Sequence, residues 1–378
     1  MFEPTVAILV PARNESEVIG RLLQRITRLA YPREKLQIVV IDDASSDNTG
    51  KIADQFTSHY SFIKVIHRIE GGAGKSAAMN VGFRNSSGEI VLCIDADYFP
   101  QKDMISRLAS PFADPTVGAV QGRVVVLNEP KNLVTRLVAL ERIGGYRVDQ
   151  QARDNLALVP QFGGTVGGFR RDILESIGGW DESILAEDTD LTFRILLSGH
   201  RVRYVGDVES YEEAVDTWAA YGRQRYRWAR GHMQCAFKHS WSVLRSHNLT
   251  ARQKADGVLL LNVYFMPIIV LLSLVVSISL VVSGSSNLAN TLWLFLPLSL
   301  FSFIGNFAPF FEVGVGAYLD GRTRIQWLLP ILFFTFFYNI FICTKALLDL
   351  FVSTVMGTNH LIWGKTLHFG SGNRYIEF

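Results

Sequence analysis

Short apolar runs alternate with helical patterns through the first 110 residues of the chain. Uninterrupted apolar runs rich in Val and Ile are typical of strands buried on both faces, and apolar residues at helical spacing follow each of them. The predicted strands are residues 5–10, 36–41, 62–66 and 90–94, and the predicted helices are residues 17–29, 48–60, 73–83 and 102–108. This order predicts an α/β fold with a doubly wound, mostly parallel sheet.

The pattern changes near residue 257. Of the 37 basic and 35 acidic residues in the chain, only nine lie beyond this point. Three apolar segments follow that are long enough to be membrane spans, at residues 258–282, 292–311 and 327–344. The third segment contains Pro330 and Asn339, so a full crossing and a re-entrant segment both stay open.

A segment of mixed character precedes the first predicted span. Residues 221–245 combine basic residues with Trp228, Phe237 and Trp241, as in an amphipathic helix that lies on a bilayer surface. A helix that packs on the globular domain is the alternative. The predicted organisation is a globular domain at residues 1–230, an amphipathic segment at 231–256, a transmembrane region at 257–352 and a tail at 353–378.

Loop charges and cysteines indicate the compartment. Arg252 and Lys254 precede the first span, Arg322 and Arg324 follow the second, and the loop between these spans has no basic residue. The positive-inside rule then places the globular domain in the cytoplasm. No cleavable signal peptide is readable, and three widely spaced cysteines predict buried thiols without a disulfide. We expect a multi-pass protein of the cell (plasma or inner) membrane.

Acidic residues follow two of the predicted strands. In parallel sheets, ligands bind at these carboxyl ends of the strands. Asp42 and Asp43 follow the second strand, and Asp95 and Asp97 follow the fourth. Taken alone, the first pair favours a polar turn over a binding site. Two carboxylates two residues apart can hold a hard divalent cation and leave positions for a diphosphate and water. The formal net charge of only +2 argues against a nucleic-acid partner.

Two glycine-rich segments exclude some nucleotide sites. The segment GGAGKS at residues 71–76 is not a nucleotide-hydrolysing phosphate loop, because position 69 holds Ile where that motif needs Gly. Lys75 at a helix start could still neutralise a diphosphate, although a solvated lysine is an equal alternative. The glycines around Gly164 lack the spacing of a nicotinamide site, and they allow either close approach of a sugar or a tight strand connection.

Two further motifs combine acidic or basic residues with tryptophan. Glu187 and Asp188 begin a predicted helix after Trp180, a position that favours acidic residues in any helix. The functional interpretation makes Asp188 a general base at a site lined by Trp180. In the segment QRYRW at residues 224–228, Arg227 could hold phosphate oxygens and the tryptophan could stack on a sugar. Snorkelling at a membrane surface would explain that segment as well.

The ordered set of motifs resembles the membrane-bound family 2 glycosyltransferases, such as cellulose, hyaluronan and poly-N-acetylglucosamine synthases and lipid glucosyltransferases. The motifs are PARNE at residues 11–15, DD at 42–43, DAD at 95–97, EDTD at 187–190 and QxxRW at 224–228. The resemblance covers essentially the whole chain. It implies a GT-A type, doubly wound, mostly parallel sheet, followed by an interfacial helix and C-terminal transmembrane helices.

The resemblance also implies roles for matching residues. Asp188 would be the catalytic base, and Asp97, supported by Asp95, would bind Mg²⁺ or Mn²⁺. The implied donor-binding residues are Pro11, Glu15, Asp43, Lys75, Asp95, Gln224, Arg227 and Trp228. The implied acceptor-binding residues are Gly164, Trp180, Glu187 and Trp228. The implied reaction is inverting transfer from a nucleoside diphosphate sugar, with a UDP-hexose or UDP-N-acetylhexosamine as the expected donor.

The acceptor stays open between a glycan and a lipid. Three apolar segments are few for a polymer tunnel, and QxxRW also occurs in enzymes that glycosylate lipids of the polyprenyl phosphate, diacylglycerol or ceramide type. The expected partners are the donor, the acceptor and the bilayer, while a homo-oligomer or an accessory membrane subunit stays open. A non-catalytic scaffold of a polysaccharide synthase is disfavoured because Asp43, Asp97 and Asp188 are all present. A nucleotidyltransferase would not explain QxxRW beside a span.

Overall fold

The computed structural model describes residues 2–71, 74–283 and 307–357, and a mixed sheet forms its centre. The strands are β1 Val6–Ala12, β2 Leu36–Asp42, β3 Ile63–His67, β4 Ile90–Cys93, β5 Phe99–Pro100, β6 Val117–Val126, β7 Gly167–Arg170 and β8 Arg201–Glu212. Their order in the sheet is β3-β2-β1-β4-β7-β6-β8-β5. The neighbours among β1 to β4 pair in parallel, so the predicted doubly wound, mostly parallel sheet is confirmed.

The second half of the sheet was not predicted from the sequence. β7 is antiparallel to both β4 and β6, β6 runs parallel to β8, and β5 pairs antiparallel with β8. Because β7 lies directly beside β4, the glycine-rich loop before β7 comes next to the acidic end of β4. The sheet therefore brings together two motifs that lie about 70 residues apart in the sequence.

Helices cover both faces of the sheet. They are α1 Ile19–Ile26, α2 Thr49–Thr57, α3 Lys75–Arg84, α4 Met104–Ala109, α5 Leu133–Ile143, α6 Gln151–Asn155, α7 Arg171–Ser176, α8 Glu187–Leu197, α9 Trp218–Arg245, α10 Ala251–Leu261, α11 Met266–Val282, α12 Phe307–Leu319 and α13 Leu329–Val355. Alternate residues of each strand face opposite sides. Ile8 of β1 packs in the core that includes Leu22 of α1, whereas Leu9 packs in the core that includes Met79 of α3.

Helix α9 crosses the predicted boundary at residue 230 without a break. Cys235 and Ala236 pack in the core of the domain, while Ala229 and Met233 pack with Cys343 and Ala346 of α13. Another face exposes Phe237 and Trp241, at 68% and 61% of their surface, one helical turn apart. The helix therefore combines the two alternatives considered from the sequence, domain packing on one side and an aromatic surface on the other.

The apolar C-terminal region differs in detail from the predicted spans. Within the described residues, one helix, Thr323–Val355, is long and apolar enough to cross a membrane. The first predicted span falls on Ala251–Leu261 and Val263–Ser279, which meet at a 46° bend. Most of the second predicted span and most of the tail lie outside the described residues. These findings do not support a multi-pass arrangement.

The third predicted span is one unbroken helix. Pro330 lies in the first turn of α13, where a proline removes no helical hydrogen bond and is tolerated. The helix also packs on α9, since Tyr226 donates a hydrogen bond to Asp349 at 2.6 Å. Asp349 also pairs with Lys345 at 2.6 Å, so the two charges at the end of the segment are neutralised within α13.

Candidate active site

A cavity of about 430 Å³ opens at the carboxyl ends of β1, β2 and β4, within the usual size range of small-molecule sites. The predicted site residues that line it are Pro11, Glu15, Asp43, Lys75, Asp95, Asp97, Gly164, Glu187, Asp188, Gln224, Arg227 and Trp228. The lining includes two groups of residues that come from different elements. The strand wall comprises the lining residues at positions 11–15, 43, 75 and 95–98. The helix wall comprises the lining residues at positions 185–188, 224–232 and 260–264.

Asp43 is the buried carboxylate of the strand wall beside β2. Its backbone N–H donates to the carbonyl of Ala12 at 2.8 Å, which continues the pairing of β1 and β2 past the end of the strand. Its carboxylate pairs with the guanidinium of Arg68, and Arg13 Nη1 lies 3.8 Å from Oδ2. The carboxylate is therefore held in a fixed direction at the edge of the cavity.

Lys75 connects the strand wall with the loop before β7. Its Nζ lies 2.6 Å from Asp95 Oδ1 and donates a hydrogen bond to the Gly164 carbonyl at 3.0 Å. Burial alone would lower the pKa of Lys75, but the charges of Asp95 and Glu187 outweigh it and raise the pKa above its ordinary value. The lysine is a charged part of the cavity wall, which removes the alternative of a solvated turn lysine.

Asp95 and Asp97 both line the cavity directly after β4, and Asp97 is 5% exposed. In residues 2–71, 74–283 and 307–357, no group of three or more His, Cys, Asp or Glu could hold a metal ion. The described chain thus offers a pair of hard oxygen ligands here. This donor set fits Mg²⁺ or Mn²⁺, which readily take their remaining ligands from phosphate oxygens and water.

Asp188 lies in the first turn of α8, where the helix dipole favours a negative charge. Its Oδ1 accepts a hydrogen bond from the backbone N–H of Thr189 at 2.7 Å. Gly164 lies against the other carboxylate oxygen with φ +85°, and a Cβ there would approach Asp188 Oδ2 to 3.3 Å. The glycine therefore allows both the backbone turn and the close approach of this loop to the carboxylate.

Gln121, which the sequence did not indicate, holds the same loop in place. It is fully buried on β6, and its Oε1 accepts from the N–H of Gly163 at 2.6 Å. Its Nε2 donates to the carbonyl of Thr165 at 3.0 Å. One amide side chain thus satisfies both a donor and an acceptor of the loop that carries Gly164. Without a prediction of β6, no sequence signal could place it there.

A buried ionic cluster fixes α8 against α9. The carboxylate of Asp190 is fully buried and pairs with Arg194 at 2.6 Å, Lys238 at 2.7 Å and His239 at 2.8 Å. Burial alone would raise the pKa of Asp190, but these partners outweigh it and hold the pKa well below its usual range. Because Asp190 is two residues from Asp188, the cluster sets the distance between the helix start and α9.

Arg227 and Trp228 reach the cavity from α9, as predicted for the QxxRW motif. Burial lowers the pKa of Arg227, while the charges of Glu187, Asp188 and Asp95 act in the opposite direction. The guanidinium carbons of Arg142 and Arg225 lie 5.1 and 4.3 Å from the centre of the Trp228 ring. These cation–π contacts fix the orientation of the indole, whereas sugar stacking by Trp228 stays a prediction.

Trp180 does not line the cavity, so its predicted place at the acceptor site is wrong. It is 4% exposed, and its ring makes edge contacts with Phe83 and Phe169 at centroid distances of 6.0 and 5.8 Å. Its backbone N–H donates to Asn80 Oδ1 at 2.9 Å. The preceding Gly179, with φ +71°, turns the chain so that the indole enters the core beneath the cavity.

A mixed sheet of this order, with a carboxylate-lined cavity at its strand ends, agrees with the GT-A type fold that the resemblance implies. The sequence profile described as "Glycosyltransferase like family 2" matches residues 4–231. The chain belongs to this family. The resemblance inferred from the ordered motifs is thereby confirmed.

Relatives of this chain match it over only part of their own length. "Probable glycosyltransferase YdaM" of Bacillus subtilis is 38% identical over 62% of this chain and 57% of the relative. The "Beta-monoglucosyldiacylglycerol synthase" of Synechocystis sp. is 34% identical over 67% of this chain and 53% of the relative. The matches thus span about half of these relatives.

Solved structures support the fold. The mannosyltransferase PcManGT of Pyrobaculum calidifontis in complex with GDP-Man and Mn²⁺ superposes with a TM-score of 0.60, at 24% identity, over 88% of this chain and 87% of that chain. S. aureus TarS 1-349 in complex with UDP gives a TM-score of 0.52, at 16% identity, over 94% and 92% of the two chains. The predicted GT-A type fold is confirmed.

Proposed function

We propose that this protein is a glycosyltransferase that moves a sugar from a nucleoside diphosphate sugar to a hydroxyl group of a membrane lipid, with inversion at the anomeric carbon. The observation that carries the proposal is the chemical difference between the strand wall and the helix wall, which carries Asp188. The strand wall is rich in charge, whereas the helix wall includes Leu260, Val263 and Tyr264. Val263 lines the cavity and is also 46% exposed, so this apolar surface continues to the outside of the molecule.

The strand wall suits a hydrophilic, anionic donor. Asp43 has a fixed carboxylate that can accept an N–H from the nucleotide base, which agrees with the expectation of a UDP-sugar. Lys75 and Arg227 bring positive charge to the cavity, where a diphosphate would be neutralised. A divalent cation held by Asp95 and Asp97 would offset the charge of the leaving diphosphate. Structural neighbours named in complex with GDP-Man and UDP support a nucleotide donor.

The reaction follows from a single carboxylate base. Asp188 takes the proton of the acceptor hydroxyl while that oxygen attacks the anomeric carbon. The bond from this carbon to the diphosphate breaks on the opposite face, through an oxocarbenium-like state as in glycoside hydrolysis. One such displacement inverts the configuration, so an α-linked donor gives a β-glycoside. The proton passes to Asp188 and the nucleoside diphosphate leaves, so the reaction needs no covalent enzyme intermediate.

The apolar surfaces support an acceptor at the membrane. Phe237 and Trp241 on α9 and Leu259 and Met266 near the cavity are all exposed, and such clusters mark lipid or protein contact sites. The relative named beta-monoglucosyldiacylglycerol synthase supports a lipid acceptor for this chain too. We further propose that the globular domain faces the cytoplasm, from the loop charges that flank the apolar segments.

The test uses membranes that contain the full chain, with labelled UDP-glucose, UDP-N-acetylglucosamine or GDP-mannose. We expect label from a UDP-sugar in the organic-solvent extract, with release of UDP. Addition of a chelator should abolish the transfer, and Mg²⁺ or Mn²⁺ should restore it. Label in an insoluble polymer would contradict the lipid acceptor, and release of inorganic diphosphate would indicate a nucleotidyltransferase. Absence of transfer from every donor would contradict the proposed function.

A further inference from the structure

His232 occupies the helix wall one turn after Trp228, on α9. Its Nε2 lies 3.3 Å from the hydroxyl oxygen of Thr189, the residue that follows the predicted base. Its other nitrogen, Nδ1, is buried and has no hydrogen-bond partner in the part of the chain that the structure describes. A buried polar atom without a partner costs free energy, so such an atom at a cavity calls for a ligand.

Hydrogen bonds around Thr189 are compatible with a proton on Nε2 of His232. The Thr189 hydroxyl accepts from Gln161 Nε2 at 2.6 Å and lies 3.4 Å from Asp188 Oδ1, to which it can donate. When the hydroxyl donates to the carboxylate, its oxygen accepts from His232 Nε2–H. The imidazole then has a hydrogen on Nε2 and a lone pair on Nδ1.

The surroundings favour the neutral imidazole. Burial lowers the pKa of His232, although the charge of Asp188 acts in the opposite direction. The ring packs on Tyr264 with a centroid distance of 4.7 Å, and Leu260 and Val263 line the same end of the cavity. A neutral ring with a bare lone pair can accept a hydrogen bond from O–H, but it offers no positive charge to a phosphate.

We propose that His232 binds the acceptor through Nδ1, which accepts a hydrogen bond from an acceptor hydroxyl, and that the acceptor is therefore a neutral hydroxyl-bearing lipid and not a lipid phosphate. This inference rests on the proposed function and narrows its acceptor class. Beside Thr189, the histidine holds the hydroxyl within reach of Asp188. The apolar residues of the helix wall then accommodate the adjoining part of the lipid.

The first experiment offers the full chain phosphatidylcholine vesicles that carry either diacylglycerol or a polyprenyl phosphate, with the UDP-sugar that the donor panel selects. We expect lipid-extractable product with diacylglycerol and at least tenfold less with the polyprenyl phosphate. Equal or greater transfer to the polyprenyl phosphate would overturn the inference. Failure of the proposed function would look different, because neither lipid would then be labelled.

The second experiment compares His232→Phe, which keeps a ring against Tyr264, with His232→Asn, whose amide oxygen can take the place of Nδ1. Loss of one hydrogen bond should raise the acceptor KM of His232→Phe roughly threefold to tenfold. The acceptor KM of His232→Asn should stay closer to the wild-type value. A general structural disturbance would also weaken UDP binding. We therefore expect the dissociation constant for UDP to change far less than the acceptor KM. His247→Phe, in the exposed segment after α9, is the matched control. An unchanged acceptor KM in His232→Phe, or an equal loss of UDP affinity, would overturn the inference.

Discussion

The strand wall and the helix wall hold their functional groups in different ways. In the strand wall, ion pairs lie at the surface of the cavity itself, as in Asp43 with Arg68 and Lys75 with Asp95. In the helix wall, Asp188 is held from behind by the loop that Gln121 anchors and by the buried cluster of Asp190. The strand wall thus combines ion pairs with acidic residues, whereas the helix wall combines Glu187, Asp188 and Arg227 with neutral and apolar groups.

This difference has a functional consequence. A charged surface with pre-formed pairs binds a diphosphate without large reorganisation. A helix start that is fixed by buried contacts keeps a single carboxylate in place while neighbouring surfaces remain apolar enough for a lipid. The two walls would therefore be sensitive to different substitutions: charge changes at the strand wall should affect the donor, and packing changes behind the helix wall should affect the position of the base.

Removal of the base should give the largest effect. Asp188→Asn keeps the size of the side chain but cannot take a proton, so the transfer rate should fall by roughly two to four powers of ten. The measurement is the initial rate of transfer from labelled donor at saturating acceptor. Donor affinity should change much less, because Asp188 belongs to the helix wall.

The control for this variant is Asp172→Asn. Asp172 also lies in the first turn of a helix, α7, but it is exposed and does not line the cavity. It should retain the wild-type rate. An Asp188→Asn protein that is folded, binds UDP and transfers sugar at the wild-type rate would contradict the assignment of Asp188 as the base.

The strand wall could largely be predicted from the sequence, and there is a physical reason. Parallel strands that are buried on both faces produce continuous apolar runs, and their carboxyl ends lie at one edge of the sheet. Residues that follow those runs, such as Asp43, Asp95 and Asp97, must then lie close together. Local sequence therefore determined both the elements and the position of these carboxylates.

Much of the helix wall could not be predicted in this way. Gln121 accepts a hydrogen bond from Gly163, which is 42 residues away in the sequence. Asp190 pairs with His239, which is 49 residues away. Such contacts depend on the antiparallel insertion of β7 and on the long α9, neither of which has a local pattern that reveals its neighbours. Asp188 and Arg227 were candidates from their local motifs, but each motif had a structural alternative, and only the resemblance to a known family favoured the functional interpretation.

Trp180 provides a test of the packing behind the helix wall. Trp180→Ala would leave a cavity next to Phe83 and Phe169, so the free energy of unfolding should fall by about 3–5 kcal/mol. Trp180→Phe should lose much less and should keep the wild-type acceptor KM, because the ring does not face the cavity. Thermal unfolding and acceptor kinetics measure the two effects. A raised acceptor KM in a stable Trp180→Phe protein would restore the original prediction of an acceptor contact.

The smallest expected effect concerns Glu187 of the helix wall. Burial and the neighbouring charge of Asp188 raise the pKa of Glu187 to about 7, against the opposing charges of Lys75 and Arg227. The side chain is therefore mainly neutral below pH 7 and mainly ionised above it. Ionisation adds a negative charge to a cavity that binds an anionic donor, so the donor KM should rise a few-fold as the pH increases through 7.

Glu187→Gln cannot ionise, so its donor KM should stay nearly constant between about pH 6 and pH 8, close to the acidic-limit value of the wild type. The exposed Glu175→Gln in α7 is the matched control and should keep the wild-type pH dependence. If Glu187→Gln showed the same inflection as the wild type, another group would be responsible. Ionisation of Glu187 in the helix wall would then have no effect on donor binding. The strand wall alone would determine the donor KM.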